Sequence, residues 1–306
     1  MAFALVFPGQ GSQRPGMLDS LRTFDGMERL LDAAEALSEL PLRVIAEMGP
    51  DSELADTRAA QPLLFLADWA WGRAVLDAGA RPDAVAGHSL GEFAALAIAG
   101  VFSVEAGLEM VIERSRLMAT VAASTPGGMA AVLGLEAPLV GHVVEGIDGV
   151  WVANDNGPGQ IVISGTEEGI ESARTALTEA GARRIVQLKV AGPFHSPLMA
   201  PAAAAFASEV LAAAAFSDAR FPIAQNAEPV LTTDAETIRT RLALQITSPV
   251  RWTETMDALL ESGMTWLVEA GPGNVLSGLA RRVDGLTAVA VEEAGVDAVV
   301  KEVARP

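Results

Sequence analysis

Residues 2–7 are apolar throughout, and the run stops at Pro8-Gly9-Gln10-Gly11-Ser12. An apolar run without alternation, closed by a glycine-marked loop, predicts a strand buried on both faces. Helical spacing follows over 24–37 and 62–78, then a strand over 84–86 and a helix over 92–99. Strands alternating with helices predict an α/β domain built on a mostly parallel sheet. From residue 129 the elements shorten: strand 129–133, helix 137–145, strands 150–153 and 160–164, helix 166–180, strand 184–190. Thr166 reads as the N-cap of that second helix, with Glu167 and Glu168 in its first turn. The order β-α-β-β-α-β is that of a ferredoxin-like unit. Ser124-Thr125-Pro126-Gly127-Gly128 and Gly192-Pro193 mark its joints. The expected architecture is a large α/β domain, 1–124 and 192–306, interrupted by a small one, 125–191. After the insert come an alanine-rich helix near 202–215 and strands at 221–224 and 265–269.

Composition narrows the chemistry. The 306 residues carry a formal charge of −18, which disfavours nucleic acid and anionic membranes as partners, since both attract a basic face. The longest apolar run, 93–102, is about half of what a bilayer span requires. The N-terminus reads as a strand and has no basic leader, so a cytoplasmic enzyme is expected. There is no cysteine, which removes disulfides, thiolate nucleophiles and cysteine metal sites. Only three histidines occur, His88, His142 and His195, so no metal centre is expected. Any nucleophile must be an oxygen or a lysine.

Gly87-His88-Ser89-Leu90-Gly91 lies between a predicted strand and a predicted helix. This is the G-x-S-x-G nucleophile elbow: flanking glycines permit a sharp turn that presents the serine hydroxyl above the strand ends. Serine requires a base. His88 adjoins Ser89 and should point away from it, and His142 reads as exposed on the first helix of the small domain. His195 follows the last strand of the insert, where the chain re-enters the large domain beside an interdomain cleft. His195 is therefore the expected base. Gly9-Gln10-Gly11-Ser12-Gln13 fails the dinucleotide fingerprint, because Arg14 stands at the third glycine, and no phosphate-loop lysine pattern occurs. No cofactor is expected. Instead, the backbone N–H of Gln10 can join that of Leu90 as an oxyanion hole.

Four motifs occur in order: Phe7-Pro8-Gly9-Gln10-Gly11-Ser12-Gln13, Gly87-His88-Ser89-Leu90-Gly91-Glu92, Phe194-His195-Ser196, and Gly271-Pro272-Gly273-Asn274 running on to Leu279. From Phe3 to about Val283 the chain resembles the malonyl-CoA:acyl-carrier-protein transacylases, relatives of polyketide-synthase acyltransferase domains. The resemblance implies an α/β-hydrolase-like core with a ferredoxin-like insert, and a monomer. It implies that Ser89 is the nucleophile, His195 the base, and Gln10 and Leu90 the oxyanion donors. Gln245 matches the residue whose backbone carbonyl orients the histidine, giving a Ser–His pair without a carboxylate. Asn156, in Asn154-Asp155-Asn156-Gly157-Pro158, matches a loop lining the family's cleft.

Arg114 matches the family's carboxylate-binding arginine, and helical spacing supports this separately. Its neighbours three and four positions away are Met110, Val111, Leu117 and Met118, whereas Arg116 shares a face with Glu109, Glu113 and Thr120. A guanidinium on an apolar face needs an anionic partner, and an acyl group ending in a carboxylate can bond it twice. The implied reaction carries malonyl from malonyl-CoA through a malonyl-serine to the thiol of acyl carrier protein. The absence of attached synthase modules points to fatty-acid synthesis, and polyketide service with another extender unit is the alternative. A serine thioesterase or acyl hydrolase would use the same nucleophile and base and would not need Arg114. An acidic enzyme must also dock an acidic carrier, and Arg183, Arg184, Lys189, Arg281 and Arg282 are the candidate basic positions.

Overall fold

The computed structural model describes residues 1–304. Its first sheet is entirely parallel, with strands β1 (Phe3–Phe7), β2 (Ala84–Gly87), β7 (Ile223–Ala224), β9 (Trp266–Glu269) and β10 (Thr287–Ala290) in the order β10-β9-β1-β2-β7. Every residue of β1 is buried. Phe3, Leu5 and Phe7 enter the main core, whereas Ala4 and Val6 enter a second core with Ala84, Ala86, Trp252 and Leu276. Two covered faces explain the unbroken apolar run, because alternation appears only where one face meets water.

The second sheet contains β3 (Gly128–Leu133), β4 (Val150–Asp155), β5 (Gln160–Gly165), β6 (Arg184–Gln187) and β8 (Val250–Arg251), in the order β6-β3-β5-β4-β8. β3 to β6 pair antiparallel, and only β8 joins in parallel. Helices Ala137–Glu145 and Glu167–Glu179 cover one face. Val140, Val144, Ile170, Ala173 and Leu177 pack there on Ala130, Val132, Ile161 and Ile163. Met129, Ala153 and Val162 point the other way, into the main core. The Thr166 hydroxyl accepts from Gly169 N–H at 3.0 Å, as an N-cap does.

Several elements differ from the sequence pattern. The strand expected over 184–190 ends at Gln187; Leu188 N–H still bonds Met129 O, and beyond it Leu188 and Val190 line the cavity that holds Ser89. The helix expected from Pro62 begins at Thr57, capped by Asp56. Pro62 sits inside it at the sixth position, where its missing N–H costs the one bond that would go to Arg58 O. The alanine-rich helix is α-helical over Ala200–Ala205 and continues as a π-helix over Phe206–Leu211. Phe206 and Leu211 are both buried, and five-residue spacing puts both on the core side only in the wider turn. β8 and β10 went unrecognised in the sequence.

Candidate active site

β2 delivers the chain into the elbow, and Gly91 begins the helix Gly91–Ala99 immediately after it. Ser89 has φ +50°, a left-handed conformation that a side chain adopts only under constraint. The flanking glycines are a matter of space. A Cβ on Gly87 would lie 2.0 Å from the Gly91 carbonyl carbon, and one on Gly91 would lie 2.1 Å from Phe7 O. Asn226, at the end of β7, braces the turn. Its Oδ1 accepts from Ser89 N–H at 2.5 Å, and its Nδ2 donates to Gly87 O at 2.6 Å. Buried Glu92 accepts from Asn226 N–H at 2.8 Å and from Gln225 Nε2 at 3.1 Å.

His195 Nε2 lies 2.7 Å from Ser89 Oγ. Its Nδ1 faces the carbonyls of Gln245 at 3.0 Å and Ser248 at 3.1 Å. Carbonyls only accept, so Nδ1 carries the proton and Nε2 presents its lone pair to the serine hydroxyl. His195 also has positive φ, +56°. Burial, then the charge of Arg114 and then His88, push its pKa down to about 3. The imidazole is neutral in the resting enzyme.

Arg114, on the helix Val104–Ser124, is buried, whereas Arg116 is exposed and pairs with Glu113. Arg114 Nη1 donates to Gln61 Oε1 at 2.7 Å. Its Nη2 donates to Gln245 Oε1 at 3.0 Å and reaches Ser89 Oγ at 3.3 Å. The guanidinium also stands over the Phe93 ring, 5.5 Å from its centroid. Both amide partners are neutral, and no carboxylate among the described residues forms an ion pair with Arg114. Burial lowers its pKa to about 10, opposed by the charge of Glu92. The site thus holds a buried cation open to an anion from outside.

Gln10, Ser89, Leu90, Arg114 and His195 line one cavity together with Gln61, Met118, Met129, Asn154 and Phe194. Neither Gln10 N–H nor Leu90 N–H has an acceptor among the described residues. Gln245 sits behind this cavity; besides its carbonyl bond to His195, its Nε2 donates to Ser89 O at 3.0 Å. Asn156 does not reach the wall. It is buried against His88, whose Nε2 lies 2.7 Å from Asn156 Oδ1. Asn154 takes the lining position instead. His88 turns from Ser89 toward Trp252, and His142 is exposed.

The basic residues divide into two places. Arg183 packs on Gly134, whose N–H bonds Gly159 O, and Arg282 donates to Gln160 Oε1 at 3.2 Å, so these two arginines share one end of the small sheet. Arg184 adjoins Arg183, Arg281 adjoins Arg282, and all four are exposed. Lys189 lies apart, in an outer groove with Thr57, Arg58 and Thr120. Gln61, Asn226, Glu92 and Ser248 were missed from sequence. Glu92 directly follows the elbow motif, which was a usable signal; the other three carry none.

A neutral histidine on a strained serine, two free N–H groups and an open buried cation define a serine acyl-transfer site. Residues 4–300 match the family described as acyl transferase domain, and the chain belongs to it. It is 40% identical over 286 residues to the malonyl CoA-acyl carrier protein transacylase of Bacillus subtilis, covering 92% of this chain and 90% of that one. It is 41% identical over 283 residues to the protein of the same name from Synechocystis, covering 92% and 94%. The crystal structure of the Synechocystis malonyl-CoA:ACP transacylase superposes with a TM-score of 0.88 at 39% identity, covering 95% of this chain and 97% of that one. A structure described as a type II PKS acyl-carrier protein in complex with its malonyl-transacylase superposes with a TM-score of 0.92 at 38% identity, covering 99% and 100%.

Proposed function

We propose that this protein transfers malonyl from malonyl-CoA to the phosphopantetheine thiol of acyl carrier protein, in the service of fatty-acid synthesis. The observation that carries the reading is the contact of Ser89 Oγ with both His195 Nε2 at 2.7 Å and Arg114 Nη2 at 3.3 Å. One atom then meets both the base that activates it and the cation that recognises a carboxylate. Ser89 attacks the thioester carbon as His195 Nε2 takes the hydroxyl proton, and the oxyanion rests on Gln10 and Leu90 N–H. The tetrahedral adduct collapses, the C–S bond breaks, and CoA leaves with the proton from His195. In the second half, His195 takes the carrier thiol's proton, sulfur attacks the malonyl ester, and Ser89 recovers its hydrogen. Gln245 O and Ser248 O hold the imidazole in place of a triad carboxylate.

In the same reading the parallel-sheet unit, 1–124 and 192–306, is α/β-hydrolase-like, and 125–191 is a ferredoxin-like insert. Arg183, Arg184, Arg281 and Arg282 gather the positive charge that an acidic carrier would meet, with Lys189 nearer the groove. A cytoplasmic location suits these partners, and no helix of the described residues is long and apolar enough to cross a membrane.

The test is intact-protein mass spectrometry after mixing with malonyl-CoA, without and with holo carrier protein. A malonyl adduct on Ser89 that discharges onto the carrier is expected, and Ser89→Ala should show none. Release of free malonate as fast as transfer would make the protein a hydrolase instead.

A further inference from the structure

Arg114 lines the cavity and also touches the nucleophile itself. Ser89 Oγ donates its hydrogen toward His195 Nε2 while accepting from Arg114 Nη2. The guanidinium is held by two neutral amides, Gln61 and Gln245, so its charge is not cancelled at contact. We propose that the carboxylate of the substrate arms the Ser89–His195 pair: it draws Arg114 Nη2 off the nucleophile and neutralises the cation that faces the base. This rests on the acyl-transfer reading above and adds a regulatory role to the binding role of Arg114.

The groups facing His195 are few. Arg114 comes from the helix Val104–Ser124, His88 from the elbow, and the 245–248 turn offers only the carbonyls of Gln245 and Ser248. Glu92, from the helix after the elbow, acts on Arg114. When His195 takes a proton in either half of the reaction, the new imidazolium forms close to an uncancelled guanidinium. Like charges on two buried groups oppose one another strongly. A malonyl group on Ser89 supplies one negative charge to Arg114, and the imidazolium then forms beside a neutral ion pair. The basicity of His195 is lowered first by burial and next by the charge of Arg114, and only the second part is open to a substrate carboxylate. An acyl group without a carboxylate leaves the base weak, so selection acts on the rate of the chemical step as well as on binding.

The experiment compares two acyl-enzymes of the unaltered protein, malonyl-Ser89 loaded from malonyl-CoA and acetyl-Ser89 loaded from p-nitrophenyl acetate. Discharge of each onto N-acetylcysteamine is followed by intact mass across pH. The acid limb for the malonyl-enzyme should lie at least about one pH unit above that for the acetyl-enzyme, the shift a neighbouring charge commonly produces. Its plateau rate should be the faster by at least about tenfold. In Arg114→Met the acetyl limb should rise toward the malonyl position. Coincident limbs in the unaltered protein, or an acetyl limb unmoved in Arg114→Met, would overturn the inference while leaving acyl transfer intact. Absence of any malonyl adduct would overturn both.

Discussion

Ser89 and His195 are the two reacting side chains of this site, and both hold positive φ, +50° and +56°. Each such residue costs about 1–3 kcal/mol and persists only where its surroundings over-determine it. For Ser89 the surroundings are legible in part. Gly87 and Gly91 announce the turn in sequence, because no other residue fits against the Gly91 and Phe7 backbones. Asn226 does not announce itself: it lies far along the chain, just past a two-residue strand, and its role arises only when β7 pairs with β2. Asn226→Ala should free the Ser89 N–H and Gly87 O, while the backbone N–H at position 226 keeps its bond to Glu92. The expected result is a fall in kcat of about tenfold or more with a stability loss of about 1–3 kcal/mol, measured by transfer kinetics and urea unfolding. An unchanged kcat would show that the glycines alone hold the nucleophile.

Among the elements, the helix Val104–Ser124 shows what periodicity can and cannot reveal. Ser103 caps it by accepting from Ala106 N–H at 3.2 Å. The spacing of Met110, Val111 and Met118 placed Arg114 inside and Arg116 outside, and the structure does the same. It could not reveal that Gln61 and Gln245, on two other elements, would meet the guanidinium with amides and leave its charge uncancelled. Short strands were harder still. β8 exists because it pairs with β4 at Asn154 and Asp155, a tertiary contact with no local pattern behind it. Two arginines on opposite faces of one helix make a controlled comparison. Arg114→Ala should lower kcat/KM for malonyl-CoA by about 100-fold, consistent with the loss of charge-assisted hydrogen bonds, and should not reduce acetyl transfer. Arg116→Ala, which breaks an exposed pair with Glu113, should alter neither by more than about twofold. A malonyl-to-acetyl ratio unchanged in Arg114→Ala would remove the carboxylate-binding role.

Across the whole molecule, the two sheets meet at the site through contacts that no single segment encodes. β8 joins β4, Thr253 Oγ1 donates to Asp155 Oδ1 at 2.5 Å, and His88 bonds Asn156 across the cleft. The loop after β9 closes over the other side of β1, and there the fold carries an unmet cost. Asp68, on the helix Thr57–Asp77, is fully buried, and neither carboxyl oxygen has a hydrogen-bond partner. Gly271 is glycine where this loop passes it, since a Cβ there would lie 2.3 Å from Asp68 Oδ1. Burial, and secondarily the charge of Glu269, raise the Asp68 pKa well above its ordinary value. Glu269 meanwhile accepts from Leu276 and Ser277 N–H at 2.9 and 2.7 Å. The folded protein therefore keeps a proton on Asp68 that the unfolded chain releases above the ordinary carboxyl pKa. Stability from this group is greatest in acid, and it falls as pH rises from that value toward the folded one. Asp68→Asn retains the shape and cannot ionise in the unfolded state. It should match the unaltered protein near pH 4 and exceed it increasingly toward pH 8, by at least about 1 kcal/mol, or about 3 °C in Tm. Thermal unfolding of both proteins at pH 5 and pH 8 measures the difference. An equal gap at the two pH values would mean that Asp68 finds a partner and stays ionised in the folded chain.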